Sequence, residues 1–186
     1  MQWYDYFIRM ADLVALKSKD PSTKCGVVVV GADNQILSTG YNGFPRGVEE
    51  GEDARDVCCQ CGGEGTLPAF GYGEDVACRE CDGSGAKFRW NRPHKYLFIE
   101  HAERNAIHNA ARTGVSLLGA TMYFNWEPCP CNECAKAVIQ AGIKKLVGYD
   151  RKFPGKGDQW DESLRVSRAM LREAGVDIVE IEELDE

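Results

Sequence analysis

Apolar positions in the first residues of the chain recur at helical spacing. Trp3, Phe7, Met10, Val14 and Leu16 alternate with Asp5, Arg9, Asp12 and Lys17, so residues 3–17 read as an amphipathic helix. KSKDPST ends it, because Pro21 restrains the residue before it. Val27 to Val30 form a β-branched block suited to a strand buried on both faces. GADNQ turns the chain and ILSTGYN predicts a second strand beside the first. A glycine-rich loop, Gly40 to Gly47, follows. KYLFIE (95–100) then leads into a helix, HAERNAIHNAARTG, stopped by Gly114. The strand ATMYFNW, the helix CNECAKAVIQAG, the strand KKLVGYD, a helix over Asp161 to Ala174 and the strand VDIVEIEE complete the pattern. Strands alternating with helices predict an α/β sheet covered on both faces.

Residues 49–94 interrupt this order. Glycines are frequent there and helical periodicity is absent, so the stretch reads as an insertion within one domain spanning residues 1–186. It looks too small and polar for an oily core of its own.

Charge narrows the classes of partner. Twenty-nine acidic against 22 basic residues leave a net charge of -7, the wrong sign for a free-standing nucleic-acid binder. No apolar run reaches the ~18 residues that a membrane helix needs. The N-terminus MQWYDYFIRM lacks a signal-peptide pattern. The expectation is a cytoplasmic protein (host cytoplasm if phage-encoded), with no membrane and no nucleic-acid partner.

The nine cysteines fall into clusters rather than a disulfide framework. His101 and Glu103 open one predicted helix, and PCPCNEC (Pro128 to Cys134) opens another. One imidazole and two thiolates make three corners of a tetrahedral zinc site. The fourth corner is left for a water whose pKa zinc lowers toward neutrality. Glu103 would shuttle the proton from that water to a substrate nitrogen, the arrangement of zinc nucleobase deaminases, where hydroxide attacks C4 of cytosine. Cys131 with Cys134 is the tighter C-x-x-C pair; Cys129 with Cys134, a C-x4-C pair, stays open as the alternative.

Residues 58–65 and 78–85 both fit C-x-x-C-x-G-x-G. Cys58, Cys61, Cys78 and Cys81 would complete a closed four-thiolate zinc, structural because it has no water position. These knuckles resemble, locally, the cysteine-rich zinc repeats of the DnaJ chaperone family. Cys59 is set aside as a non-ligand.

HAERNAI, ATMYFNWEPC and CNECAKAVIQAGIKKLV, together with KSKDPSTKCGVVVV and GYNGFPRG, resemble the deoxycytidylate deaminase family. The resemblance covers residues 3–48 and 95–150. It implies a three-layer α/β/α sandwich with a central mixed sheet. It also implies hydrolysis of dCMP to dUMP and ammonia in a cytosolic homo-oligomer, often a hexamer, regulated by dCTP and dTTP. Magnesium would accompany a triphosphate effector. By the same resemblance, Gly40, Tyr41, Asn42, Gly43 and Pro45 would hold the effector, and Arg112 would lie at a subunit boundary near nucleotide phosphate. The chain departs from the family in two extra residues in the Cys-rich stretch before the second zinc-motif helix and in the large insert.

Substrate contacts are expected from Ser22, Lys24, Asn42, Ala102 and Tyr149, and phosphate contacts from the basic run Arg151 to Gly157. His94 reads as loop surface, and His108 lies two turns beyond His101. Competing readings are a deaminase of CMP, modified dCMP, tRNA adenine or a riboflavin precursor. From another class comes a non-catalytic zinc-bearing assembly or peptide-binding module.

Overall fold

A computed structural model describes residues 1–51, 54–69, 74–150 and 160–182. Helix α1 spans Trp3–Ala15, and strands β1 and β2 span Gly26–Val30 and Ile36–Tyr41. Four short strands follow, β3 (Arg55–Val57), β4 (Thr66–Leu67), β5 (Val76–Ala77) and β6 (Ala86–Phe88), and then a 3-10 turn at His94–Leu97. Next come α2 (Ala102–Thr113), β7 (Thr121–Phe124), α3 (Asn132–Gln140), β8 (Lys145–Tyr149), α4 (Asp161–Glu173) and β9 (Asp177–Ile181). Two compact units result: Met1–Gly43 with Glu100–Glu186, and Phe44–Ile99.

The first unit is built on a five-stranded mixed sheet in the order β2-β1-β7-β8-β9. β1 is antiparallel to β2 and β7, whereas β7, β8 and β9 are parallel. The valines of β1 serve both faces. Val28 and Val30 pack with Phe7, Ile8 and Ala11 of α1. Val27 and Val29 join Ala106 of α2, Val138 of α3 and Leu171 of α4. One helix therefore covers one face and three cover the other, giving the three layers that an α/β/α sandwich requires.

Two glycines set the helix-to-sheet distance. A Cβ on Gly26 would lie 2.2 Å from the Ala11 carbonyl oxygen, and one on Gly40 would lie 2.2 Å from that of Ala102. The bare backbone at Gly40 thus lets the first turn of α2 lie directly against β2. Gly114 ends α2 in the left-handed conformation, at φ 71°.

The Phe44–Ile99 unit is wider at both ends than the 49–94 insertion read from the sequence. Aromatic packing explains the extra width. Phe44 stacks on Trp90 with centroids 4.1 Å apart, and Phe98 lies 5.6 Å from Phe44. The stretch therefore has more packing than its polarity and glycine content suggested. The four thiols Cys58, Cys61, Cys78 and Cys81, with Leu67 against them, form a second buried centre.

Candidate active site

α2 runs opposite to β7, and α3 follows β7, so both helices begin at the C-terminal end of that strand. Their first turns meet. His101 Nδ1 lies 3.5 Å from Cys131 Sγ and 3.4 Å from Cys134 Sγ. A zinc ion with ordinary Zn–S and Zn–N lengths would make a tetrahedral N···S edge of about 3.6 Å, so the donor set fits that ion. Among the described residues, His101, Cys131 and Cys134 are one of two groups spaced to hold a metal.

Cys129 stands apart from this group. Its buried sulfur accepts a hydrogen bond from Arg168 Nε at 3.2 Å. Cys131 is instead the N-cap residue of α3, and its sulfur accepts the Cys134 N–H at 3.5 Å. Ser163 of α4 accepts the Asn132 N–H at 3.0 Å, satisfying another donor at the same helix start.

Electrostatics divides the two sulfurs. A hydrogen bond from Cys134, aided by His101 and opposed by burial, brings the Cys131 thiol down to about 4. The Cys131 sulfur and burial push Cys134 well above the ordinary thiol range. Burial raises the Glu103 carboxyl above the usual range, while the charge of His101 opposes it. A carboxyl raised toward neutrality beside a metal-ligand cluster has the property of a proton shuttle.

Other sequence candidates have structural partners. The Asn42 amide donates to Asp20 Oδ2 and to the Thr23 carbonyl, and its oxygen accepts the Cys25 N–H at 2.7 Å. Ser22 donates its N–H and hydroxyl to Asp20 Oδ1. Asp20, which sequence patterning did not single out, therefore ties the loop after α1 to the end of β2. The Lys24 carbonyl accepts the Trp126 indole N–H at 3.2 Å, and the Lys24 side chain is exposed. Tyr149 is buried on the α1 side of the sheet, with Val147 and Val179. Ala102 is buried under Gly40.

Within the loop after β2, the Tyr41 carbonyl accepts the Asn105 amide at 2.8 Å, and Gly43 pairs with Glu100 in an antiparallel bridge. Pro45 and Arg112 are exposed, the latter in the last turn of α2. His108 is exposed on α2, 3.8 Å from Glu100. His94 does not behave as plain loop surface, since its Nε2 lies 2.9 Å from Asp56 Oδ2. Arg151 to Gly157 lie outside the described residues. Trp160, also unmarked by patterning, brings its ring centroid to 6.3 Å from that of His101.

The second group with metal-holding spacing is Cys58, Cys61, Cys78 and Cys81, all buried. Cys58 and Cys78 sulfurs are 3.8 Å apart, as are those of Cys61 and Cys81. A four-thiolate zinc has S···S edges of about 3.8 Å, so this set fits too. The two knuckles repeat each other across a local two-fold. β3 before the first pairs with β6 after the second, and β4 pairs with β5. The Cys58 N–H donates to Gly85 O and the Cys78 N–H to Gly65 O. A Cβ on Gly65 or Gly85 would fall 2.2 or 2.1 Å from a carbonyl of the opposite knuckle, and both glycines have positive φ. Only glycine fits such a crossing.

Comparison with known proteins adds relatives. The family model described as "Cytidine and deoxycytidylate deaminase zinc-binding region" matches residues 1–149. Deoxycytidylate deaminase of Enterobacteria phage T4 is 38% identical over 186 aligned residues, covering 94% of this chain and 87% of that protein. The Homo sapiens deoxycytidylate deaminase is 35% identical over 153 residues, covering 82% and 67%. The fold is similar to the crystal structure of dCMP deaminase from the cyanophage S-TIM5 in apo form, at TM-score 0.59 and 22% identity, covering 96% of each chain.

Proposed function

We propose that this chain, which belongs to the cytidine and deoxycytidylate deaminase family, hydrolyses dCMP to dUMP and ammonia. The observation that carries the reading is the convergence of His101, Cys131 and Cys134 at the start of two helices, with the Glu103 carboxyl raised by burial beside them. Deoxycytidylate deaminases at 35–38% identity over most of the chain support the substrate. In this reading His101, Cys131 and Cys134 hold zinc, which when bound polarises water and lowers its pKa.

The remaining steps are assigned to this chain's own groups. Glu103 accepts a proton from the attacking water as oxygen adds to C4. It delivers that proton to ring N3, then carries the second water proton to the departing amine. One water is consumed and one ammonia leaves. Burial favours the neutral form of Glu103, which eases its alternation between base and acid. The bare Gly40 backbone keeps the turn carrying Glu103 against the sheet.

The same proposal includes a second, structural zinc on Cys58, Cys61, Cys78 and Cys81, supported by the 3.8 Å sulfur spacing. Regulation by dCTP and dTTP with magnesium, homo-oligomer assembly and a cytoplasmic location rest on the family resemblance of GYNGFPRG and its flanking motifs.

The experiment is ammonia release from dCMP, CMP, dCTP and cytidine by the zinc-loaded protein. Preference for dCMP is the expected result. Equal or greater turnover of cytidine or CMP would move the substrate assignment, and no turnover of any would remove the reading.

A further inference from the structure

We propose that Glu100 is a positioning residue for the reaction, setting the directions of His101 and Glu103 by holding the first turn of α2. This rests on the reading just given.

The reason lies in what His101 cannot do. A helix start has orphan N–H donors, which the N-cap side chain ordinarily satisfies. In α3, Cys131 fills that role while also facing His101, because its sulfur accepts the Cys134 N–H. His101 is the N-cap residue of α2 and makes no side-chain cap bond. Its ring is turned to the two sulfurs instead.

Glu100, one position earlier, satisfies a different donor of the same helix start. Its Oε1 accepts the His101 backbone N–H at 3.0 Å. The same oxygen is held by the Arg104 guanidinium, one turn along α2, at 2.5 Å. The Glu100 main chain is fixed as well: its N–H donates to Gly43 O at 2.8 Å, and its carbonyl accepts the Gly43 N–H at 3.1 Å. A negative carboxylate at a helix N-terminus is also favoured by the helix dipole.

Glu100 is therefore anchored to the strand side through Gly43 and to the helix through His101 and Arg104. His101 and Glu103 lie within the arc this anchor spans. With the side-chain half of this anchor gone, the His101 N–H loses its acceptor, and both the imidazole and the carboxyl leave their shared geometry. Arg104 restrains the Glu100 carboxylate and needs no contact with substrate.

The test compares the unmodified chain with Glu100→Ala, Glu100→Gln and the double variant Glu100→Ala/Arg104→Met. Four quantities are read: kcat and KM for dCMP, the rate of zinc loss to a chelator, and the zinc remaining per chain. Glu100→Ala should lower kcat about 10-fold or more, with zinc lost from one of two sites about 10- to 100-fold faster. KM should stay within about twofold, since no substrate contact is removed. Glu100→Gln keeps the acceptor oxygen and should recover most of both losses. The double variant should be no worse than Glu100→Ala, because the two residues act as one unit.

A Glu100→Ala protein with unmodified kcat and zinc retention overturns the proposal. So does a loss that Glu100→Gln leaves unrecovered, or one expressed in KM alone. If the unmodified chain releases no ammonia from dCMP, the proposed reaction fails instead, and the zinc-retention comparison still decides the role of Glu100.

Discussion

His101, Cys131 and Cys134 reach one another from the first turns of two helices, whereas Cys58, Cys61, Cys78 and Cys81 do so from two glycine-rich turns joined by two-stranded ladders. The first group has three donors with a carboxyl beside them, and its frame is the hydrophobic core of the sheet and helices. The second has four donors, which are themselves the buried centre of their surroundings. The thiols of the second group divide as those of the first do. Around Cys58 burial is outweighed by N–H donors and neighbouring thiols, bringing it to about 7, while burial takes Cys78 to about 11. A group supported by a core can leave a coordination position open. A group that replaces a core must close its own shell to hold its segment together.

The largest expected effect separates chemistry from metal holding at the first group. Glu103→Gln should reduce dCMP turnover by about 10²- to 10⁴-fold while zinc content stays unchanged. Steady-state kinetics with metal analysis checks it, and full activity would remove Glu103 as the shuttle.

Exchanging one ligand in each group tests their independence. Cys134→Ser should abolish turnover and lower zinc by one per chain, with residues 44–99 still resistant to protease. Cys61→Ser should also remove one zinc, but open that unit to protease, since a structural zinc contributes on the order of 10 kcal/mol to the folding of such small domains. Mass spectrometry of the fragments and zinc titration distinguish the two patterns. Identical cleavage in both variants would mean the groups are not separate.

Backbone substitutions give smaller effects. Gly65→Ala places a Cβ 2.2 Å from Gly83 O at φ +77°, and should weaken metal retention by the four thiols by more than about 1 kcal/mol. Gly63→Ala, also at positive φ (+96°) but with only the movable Val57 side chain near its Cβ, should cost less because it adds no backbone clash. Chelator competition on the two variants checks the order.

The smallest effect is electrostatic. Hydrogen bonds from Arg89 and then His94 hold the Asp56 carboxyl below 3.8. A lowered acid pKa stabilises the folded form above the unfolded value, and that contribution is lost as pH falls through the folded one. Asp56→Asn should therefore cost at most about 1 kcal/mol at neutral pH, with the difference shrinking below pH 3.8. Melting curves across pH test the sign.

The four valines of β1, the stop at Gly114 and the alternation of strands and helices were legible because each is a local signal of burial or backbone freedom. The two C-x-x-C-x-G-x-G knuckles were legible for the same reason, since thiols and glycines at short spacing carry their geometry with them. Asp20, Glu100, Ser163 and Trp160 were not. Asp20, Ser163 and Trp160 meet partners that the fold brings close, such as Asn42 for Asp20, whereas the Glu100 side chain bonds near neighbours in sequence and only its main-chain pairing with Gly43 is made by the fold.

The chain alone determined which atoms are available: an imidazole, paired thiols, a carboxyl two residues from the histidine, and a second set of four sulfurs. Spacing left Cys129 and Cys131 as competing neighbours, because two residues of extended chain can present either sulfur. Tertiary packing decided between their surroundings. It started α3 at Cys131 and gave the Cys129 sulfur an Arg168 N–H from α4. Side-chain identity is written locally, but direction depends on which helix turn and which neighbour the core brings alongside.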